Sequence, residues 1–318
     1  MSLNQTKVIN NLFELIDCIY SYEPNLMNYI MDFVFIPCIN DNNGKYDYVR
    51  ALSTSNTYSI LKKSFYDNKK IKILLIDKNV KSIENEAFSH CSRLSTLTIP
   101  NTVEFIGEKT FISCTGLTDI IISSSLKSIE KGTFSSCHKL TSMVIPKSVT
   151  SIGNDSFSHC FSIKHIYISN SVRTIGDRAF VGCSGLTEII IPISVSTIGD
   201  SAFLGCSGLT TIIIPFSITC INKCTFSYCS SLTTLSIPYS IITIGNYAFS
   251  GCTGLTTIDI PESVTTIGNF AFSQCTGLTT LKLPESLISI EYYAFYKCDN
   301  LCLKTKNELK RKGYQGPF

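Results

Sequence analysis

The sequence predicts a repeat solenoid, in which stacked copies of one short unit share a continuous core. Two columns of residues predict it, because phenylalanine and cysteine each return every 23 positions along most of the chain. A fixed period between about 20 and 50 residues is the signature of stacked-repeat architectures. The phenylalanine column comprises Phe88, Phe111, Phe134, Phe157, Phe180, Phe203, Phe226, Phe249, Phe272 and Phe295. The cysteine column comprises Cys91, Cys114, Cys137, Cys160, Cys183, Cys206, Cys229, Cys252, Cys275 and Cys298.

One copy, the segment LTTIDIPESVTTIGNFAF at residues 255–272, shows how the unit folds. Ile258 and Ile260 alternate with polar residues, which predicts a strand that buries both isoleucines. Pro261 ends the strand ladder because proline has no N–H to donate. Gly268 permits a tight bend, and the NFAF segment after it is expected to form a short helical or 3₁₀ turn. One copy alone cannot bury its apolar residues, so stacked copies are expected to form a long parallel sheet.

The repeated pattern LxxLxIPxxVxxIGxxAFxxC runs from about residue 57 to residue 303 and resembles the BspA-like leucine-rich repeat. The resemblance implies a leucine-rich repeat solenoid with a curved parallel sheet on the concave side and turns and 3₁₀ segments on the convex side. It also implies binding to other proteins, and association with the cell surface as in many relatives.

The chain is expected to have three regions. Residues 1–56 carry an apolar helical face that includes Leu12 and Ile16, which predicts a helical N-terminal cap over the open end of the solenoid. A dedicated recruitment module is the alternative for this region. Residues 57–309 hold about eleven repeats, of which the first and last are degenerate, and residues 310–318 form a basic C-terminal tail.

Composition and charge indicate which partners the protein can bind and where in the cell it is expected. The net charge of +3 has no basic stripe, which argues against nucleic-acid binding. Apolar runs are too short to span a membrane. The N-terminus carries Glu14 and Asp17 within its apolar stretch and has no secretory signal, so a cytoplasmic location is expected. The resemblance keeps open the cell surface, reached by a non-classical route.

The cysteine column is interpreted as a structural ladder of buried thiols. Asn68 stands in this column one repeat before Cys91, and asparagine cannot replace a disulfide partner or a thiolate ligand. Asparagine and cysteine can both hydrogen-bond the backbone at a turn. Parallel strands about 4.8 Å apart also hold stacked Cβ atoms beyond the roughly 3.8 Å typical of a disulfide. Cys220 and Cys224 lack the second ligand pair of a zinc site, so neither a metal nor a cofactor is expected.

Three of the four histidines flank column cysteines, which is the arrangement that a Cys–His nucleophile would need. His90 and His159 lie in one column three repeats apart, and neither has an evident carboxylate to orient it. No phosphate-binding loop, nucleophile elbow or metalloprotease motif is present in the sequence. We therefore expect a protein that is not an enzyme.

The outward positions of the predicted strands indicate a binding surface. An apolar run occupies the middle of one outward column, and the column just after the proline continues it. The predicted protein-binding residues are Ile121, Val144, Tyr167, Ile190, Ile193, Ile213, Phe216 and Tyr239. This pattern favours a non-catalytic scaffold that binds another protein on the concave face, with self-association as a further candidate. The alternative function is a BspA-like adhesin or antigen at the cell surface. The alternative explanation of the apolar column is that its positions drifted towards β-branched residues because these suit strands.

Overall fold

The computed structural model describes residues 48–51 and 59–318. Each repeat contributes a long strand, a short strand and a turn segment that leads to the next repeat. The long strands are β1 Tyr48–Ala51, β3 Ile73–Ile76, β5 Thr96–Thr98, β7 Asp119–Ile121, β9 Ser142–Val144, β11 His165–Tyr167, β13 Glu188–Ile190, β15 Thr211–Ile213, β17 Thr234–Ser236, β19 Thr257–Asp259 and β21 Thr280–Lys282. The short strands are β2 Ser59–Ile60, β4 Ser82–Ile83, β6 Phe105–Ile106, β8 Ser128–Ile129, β10 Ser151–Ile152, β12 Thr174–Ile175, β14 Thr197–Ile198, β16 Cys220–Ile221, β18 Thr243–Ile244, β20 Thr266–Ile267 and β22 Ser289–Ile290.

Every strand pair is parallel, so the chain is a parallel-strand solenoid of about ten turns. The pairing is in register with the repeat, for example Ile190 opposite Ile213 and Ile244 opposite Ile267. The long strands pair as β1-β3-β5-β7, β9-β11, β13-β15-β17 and β19-β21. The short strands pair as β2-β4-β6, β8-β10-β12-β14 and β16-β18-β20-β22. Long strands on the two sides of each gap, such as β17 and β19, still lie next to each other.

The core is built around a stack of phenylalanine rings that runs through the repeats from Phe65 to Phe295. Neighbouring ring centroids lie 5.0–5.6 Å apart, and the rings are within 17° of parallel. From Phe88 onward these rings are fully buried, and most inward residues of both strand columns are buried with them, whereas Leu235 and Ile290 are partly buried. Stacking at the 23-residue period therefore buries what one repeat leaves exposed.

The turn segments differ from the expected 3₁₀ geometry. Within residues 59–318 they form successive hydrogen-bonded turns, in which the second residue before and after the phenylalanine usually has a positive φ, as at Glu86 and His90. Left-handed residues at this spacing interrupt a right-handed 3₁₀ helix. The turns also bond to one another between repeats, as when Phe180 N–H donates to the Ala202 carbonyl at 2.8 Å.

Gly268, which follows β20, is favoured for a reason other than the tight bend predicted there. Its φ is not in the left-handed region, but a Cβ there would lie 2.7 Å from Asn246 N. The close approach of the neighbouring backbone therefore disfavours a side chain at Gly268, although Glu84, Glu130, Asn222 and Glu291 occupy the equivalent position in other repeats.

The N-terminal cap predicted for residues 1–56 lies almost entirely outside the described residues. The described part, β1, is a strand rather than a helix, and it pairs with β3 at the end of the long-strand sheet. A helical assignment is therefore wrong for these four residues, because their backbone groups complete the ladder of β3.

The C-terminus, predicted as a basic tail over residues 310–318, packs as a cap on the last repeat. Helix α1 (Leu303–Arg311) crosses the predicted boundary at residue 309 and buries Leu309. Tyr314 is also buried, and its ring meets Phe295 edge-on with a centroid distance of 5.6 Å. The last ring of the stack thereby receives an apolar cover that a solvated tail does not provide.

Candidate binding surface

The eight predicted binding residues form one exposed surface, which we call the apolar patch. It comprises Ile121, Val144, Tyr167, Ile190, Ile193, Ile213, Phe216 and Tyr239. Their side chains are 59–75% exposed, although all eight are large and apolar. The patch covers the long-strand face from β7 to the residues that follow β17.

Strand alternation places the first column of the patch. In β13 and β15 the middle residue is buried and the two flanking residues point outward. Parallel pairing in register then sets Ile190 beside Ile213, and Val144 beside Tyr167. Ile193, Phe216 and Tyr239 lie one position beyond the prolines that end the strands, so they form a second column next to the first.

Polar and charged side chains surround the patch. His165 and Glu188 lie on its N-terminal strand edge, with 3.7 Å between imidazole and carboxylate. Beyond Tyr239, a groove of about 480 Å³ runs over β17, β19 and β21, and Asp259, Glu262 and Lys282 line it. An apolar centre with a polar rim is the usual composition of a protein–protein interface.

The cysteine column lies inside the solenoid, away from this surface. Each column thiol donates to the carbonyl of the phenylalanine 26 residues earlier, with Sγ–O distances of 3.0–3.3 Å. Asn68 at the head of the column accepts from the backbone N–H of Lys70 at 2.9 Å and of Ile71 at 3.3 Å. In both cases the side chain bonds the backbone at a turn.

Burial makes the column thiols weak nucleophiles. It raises the pKa of Cys160 to about 12, while the hydrogen bond from the Cys137 backbone lowers the pKa by less. The pKa values of Cys183 and Cys206 are also raised, chiefly by burial. Because the thiolate is the reactive form, these residues are poorly suited to nucleophilic chemistry.

The histidines and the described cysteines outside the column, Cys220, Cys224 and Cys302, are all partly or fully exposed. His90 meets Tyr66 edge-on at 5.4 Å, and His138 stacks on Phe161 at 4.9 Å. Cys220 and Cys224 are partly buried free thiols. In the part of the chain that the structure describes, no group of three or more histidine, cysteine or acidic residues is arranged to hold a metal ion.

A comparison with models of protein families shows which family the chain belongs to. The model of the BspA type leucine rich repeat region matches residues 58–187 and 174–302, which is most of the sequence. The chain belongs to the BspA-type leucine-rich repeat family. A comparison with curated proteins found no match.

Solved structures of other leucine-rich repeat proteins share the fold of this BspA-type chain. A leucine-rich repeat protein from Bacteroides ovatus is 28% identical, with a TM-score of 0.62 over 86% of this chain and 82% of that one. A leucine-rich repeat protein from Eubacterium ventriosum is 23% identical, with a TM-score of 0.54 over 79% and 82% of the two chains. The pneumococcal vaccine antigen PcpA is 20% identical, with a TM-score of 0.58 over 88% and 81%.

Among the described residues of this BspA-type chain, no helix is both long and apolar enough to cross a lipid bilayer.

One surface cluster was missed by the sequence reasoning. Tyr247, Phe270 and Tyr293 stack on the turn side with 4.8 Å between successive centroids. They share one column, two residues before the core phenylalanine, so their 23-residue spacing was the available signal. Their ring faces contact one another, and the cluster therefore stabilises the last repeats rather than presenting a flat ring to a ligand.

Proposed function

We propose that this protein is a non-catalytic scaffold that binds another protein through the apolar patch on its long-strand face. The observation that carries the proposal is the exposure of eight large apolar side chains in two columns, five on the long strands and three on the turns that follow them. Solenoids use extended concave surfaces for binding, and the family resemblance implies that the long-strand face is the concave one.

The size of the patch supports an interface. Single exposed apolar residues are normal on soluble proteins, whereas contiguous patches above a few hundred Å² usually mark an interaction site. Drift towards β-branched strand residues explains the patch less well. Equivalent positions in other repeats are Thr98, Ser236, Asp259 and Lys282, so the strand itself does not require an apolar side chain there.

The expected anchors are Tyr167, Ile190, Ile213 and Phe216, which occupy the middle of the patch. Interface energy concentrates in a few central residues that become fully desolvated, and aromatic side chains are common among them. The surrounding polar residues then act as a rim that excludes water.

The test is an Ile190→Lys, Ile213→Lys double variant, which places two charges in the centre of the patch. We expect unchanged circular dichroism and melting, because both side chains point to solvent, together with loss of the bound partner. The matched control is Ile242→Lys with Ile288→Lys, which changes two exposed isoleucines beside the short strands. Partner binding that survives the first variant with an intact fold would contradict the proposal.

A cell-surface adhesin or antigen of the BspA type is the second candidate, and the family membership of the chain favours it. It requires the same docking surface and differs in location. Labelling of intact cells with a membrane-impermeant reagent, compared with fractionation, distinguishes the two locations.

A further inference from the structure

We infer that the first described turn of the solenoid, residues 61–70, docks onto an anionic lipid surface. We call this segment the basic turn. It lies between β2 and β3, on the turn side of the first repeat, whereas the apolar patch lies on the long-strand face from β7 onward. The inference therefore concerns a second surface and does not rest on the proposed function.

Positive charge is concentrated in this part of the chain. Residues 61–81 contain seven lysines and two aspartates, a net charge of +5, and all seven lysines are exposed. Residues 82–296 contain 11 basic and 14 acidic residues, a net charge of −3. The small net charge of the whole chain therefore conceals a strongly basic first repeat. Clusters of this many lysines are attracted to anionic lipid headgroups.

Stacking on the next repeat fixes the position of the basic turn. The ring of Phe65 stacks on Phe88 with 5.0 Å between the centroids. The N–H groups of Phe65 and Asp67 donate to the carbonyls of Ala87 and Ser89, both at 2.8 Å. The backbone that carries the charge is therefore held against the solenoid. The lysines on this turn are Lys62, Lys63, Lys69 and Lys70.

The four lysines of the basic turn can all meet an anionic partner. Lys63 and Lys69 each form an exposed ion pair within the chain, at 3.3 Å and 3.4 Å. Within residues 59–318, Lys62 and Lys70 form no ion pair with an acidic side chain. Exposed ion pairs contribute little to stability, so Lys63 and Lys69 can exchange their partners for lipid phosphate at small cost.

Exposed apolar side chains on the same turn favour a lipid surface as the partner. Leu61 is 51% exposed and Tyr66 is 46% exposed. The position of Leu61 holds only glycine, glutamate or asparagine in the later repeats, so the fold does not require leucine there. A leucine and a tyrosine among lysines can enter the headgroup region of a bilayer, where tyrosine is common. The basic turn therefore combines charge with apolar groups that can insert.

The use of lysine alone distinguishes a lipid surface from a nucleic acid. Residues 61–81 contain no arginine. Arginine recognises phosphates and bases through a planar pair of donors, whereas lysine supplies a point charge on a flexible stem. A layer of lipid headgroups attracts charge without requiring fixed donor geometry. The composition of the basic turn therefore favours anionic lipid.

The test is co-sedimentation of the full chain with vesicles of phosphatidylcholine, with and without phosphatidylserine. We expect binding only with phosphatidylserine present, and loss of binding when salt is raised from about 0.1 M to about 1 M. Lys62→Glu with Lys70→Glu should weaken vesicle binding by about a hundredfold. Leu61→Glu, which introduces the residue found one repeat later at Glu84, should weaken it by about tenfold. Circular dichroism confirms that each variant is folded.

The matched control is Lys131→Glu with Lys139→Glu, three repeats further along the same two columns. Both lysines are exposed and the change in net charge is the same, so we expect vesicle binding close to that of the parent. Equal losses in the two double variants would overturn the basic turn as the docking site. A parent chain that does not bind vesicles with phosphatidylserine would overturn the inference altogether.

Two further measurements separate this inference from its alternatives. A DNA duplex that binds the basic turn more tightly than the vesicles do would replace lipid with nucleic acid as the partner. The Ile190→Lys, Ile213→Lys variant should bind vesicles at least as well as the parent, because its changes lie on the apolar patch. Failure of vesicle binding therefore leaves the proposed scaffold function unaffected, and loss of a protein partner in that variant leaves the lipid surface unaffected.

Discussion

At the residue scale, one backbone carbonyl explains why cysteine recurs. The Phe111 carbonyl accepts the N–H of Cys114 in its own turn at 3.1 Å and the thiol of Cys137 in the next repeat at 3.2 Å. Both lone pairs of a buried oxygen are thereby used, although the thiol is a weak donor. Asn68, at the head of the column, accepts the N–H groups of Lys70 and Ile71. Asparagine instead caps its own turn.

The phenylalanine stack gives a prediction about stability. Phe180→Ala should lower the free energy of unfolding by about 3–5 kcal/mol, because it leaves a cavity between Phe157 and Phe203. Phe65→Ala should cost less, since Phe65 is only partly buried. Urea unfolding of both variants measures the difference. Equal losses would show that the first repeat is packed as tightly as the middle of the array.

Cysteine reactivity should divide the thiols into two classes. Hydrogen bonds from Thr305 lower the pKa of Cys302, which is partly exposed, whereas burial raises the pKa of Cys183. We expect iodoacetamide to modify Cys302 quickly in the native protein and the column cysteines only after unfolding. Peptide mass spectrometry over time measures both rates. Disulfides between neighbouring column cysteines would contradict the ladder interpretation.

At the element scale, the turn segment is the strained part of the repeat. Within residues 59–318, seventeen residues other than glycine have a positive φ, and they fall in the two turn columns. Such residues cost roughly 1–2 kcal/mol each relative to glycine, so stacking must hold them in place. In the second of these columns, Gly182, Gly205 and Gly251 already occupy the position.

Substitutions between glycine and other residues at this second column test the backbone strain. Ser136→Gly should raise the free energy of unfolding by about 0.5–1 kcal/mol, because φ is 59° there and glycine tolerates it. The reverse change, Gly205→Ala, should lower it by about 1 kcal/mol. A Cβ at Gly205 would meet only ordinary contacts at 3.7 Å, so backbone strain alone is measured. Thermal unfolding that moves in the same direction for both variants would contradict this account.

The sequence predicted the elements that recur in every repeat. Each inward position occurs about ten times, so the strands and the core could be inferred from periodicity alone. The ends lack that redundancy. Helix α1 was missed although Gly313 carries a helix-end signal, with φ 91° and Tyr314 N–H donating to the Leu309 carbonyl at 2.9 Å. The repeat pattern continues to Leu301 and conceals the start of the helix.

At the scale of the whole molecule, the outward positions are free of the packing that makes the core predictable. A side chain on the long-strand face can be Ile, Ser, Asp or Lys without changing the stack, as Ile213, Ser236, Asp259 and Lys282 show. The location of the apolar patch was therefore predictable from alternation. Its partner was not, because recognition depends on surfaces brought together only on docking.

The buried thiol column also gives the whole molecule a pH dependence. Burial raises the pKa of Cys91, Cys160, Cys252 and Cys298 from an ordinary value of 9.0 to about 12. Between these values the unfolded chain loses its thiol protons while the native protein keeps them. The native state then binds more protons, so the free energy of unfolding falls as pH rises.

We therefore expect the contribution of the thiols to stability to be constant below about pH 8 and to fall from about pH 9 towards pH 12. Each buried thiol contributes a loss of about 1 kcal/mol per pH unit, and the column holds ten such thiols. Urea midpoints measured at pH 7, 9 and 10 give the slope. The comparison is a Cys183→Ala, Cys206→Ala variant, which loses some stability at pH 7 through its cavities but should show a shallower alkaline slope. Parallel slopes for the variant and the parent would mean that lysine and tyrosine ionisation, not the thiol column, causes the alkaline loss.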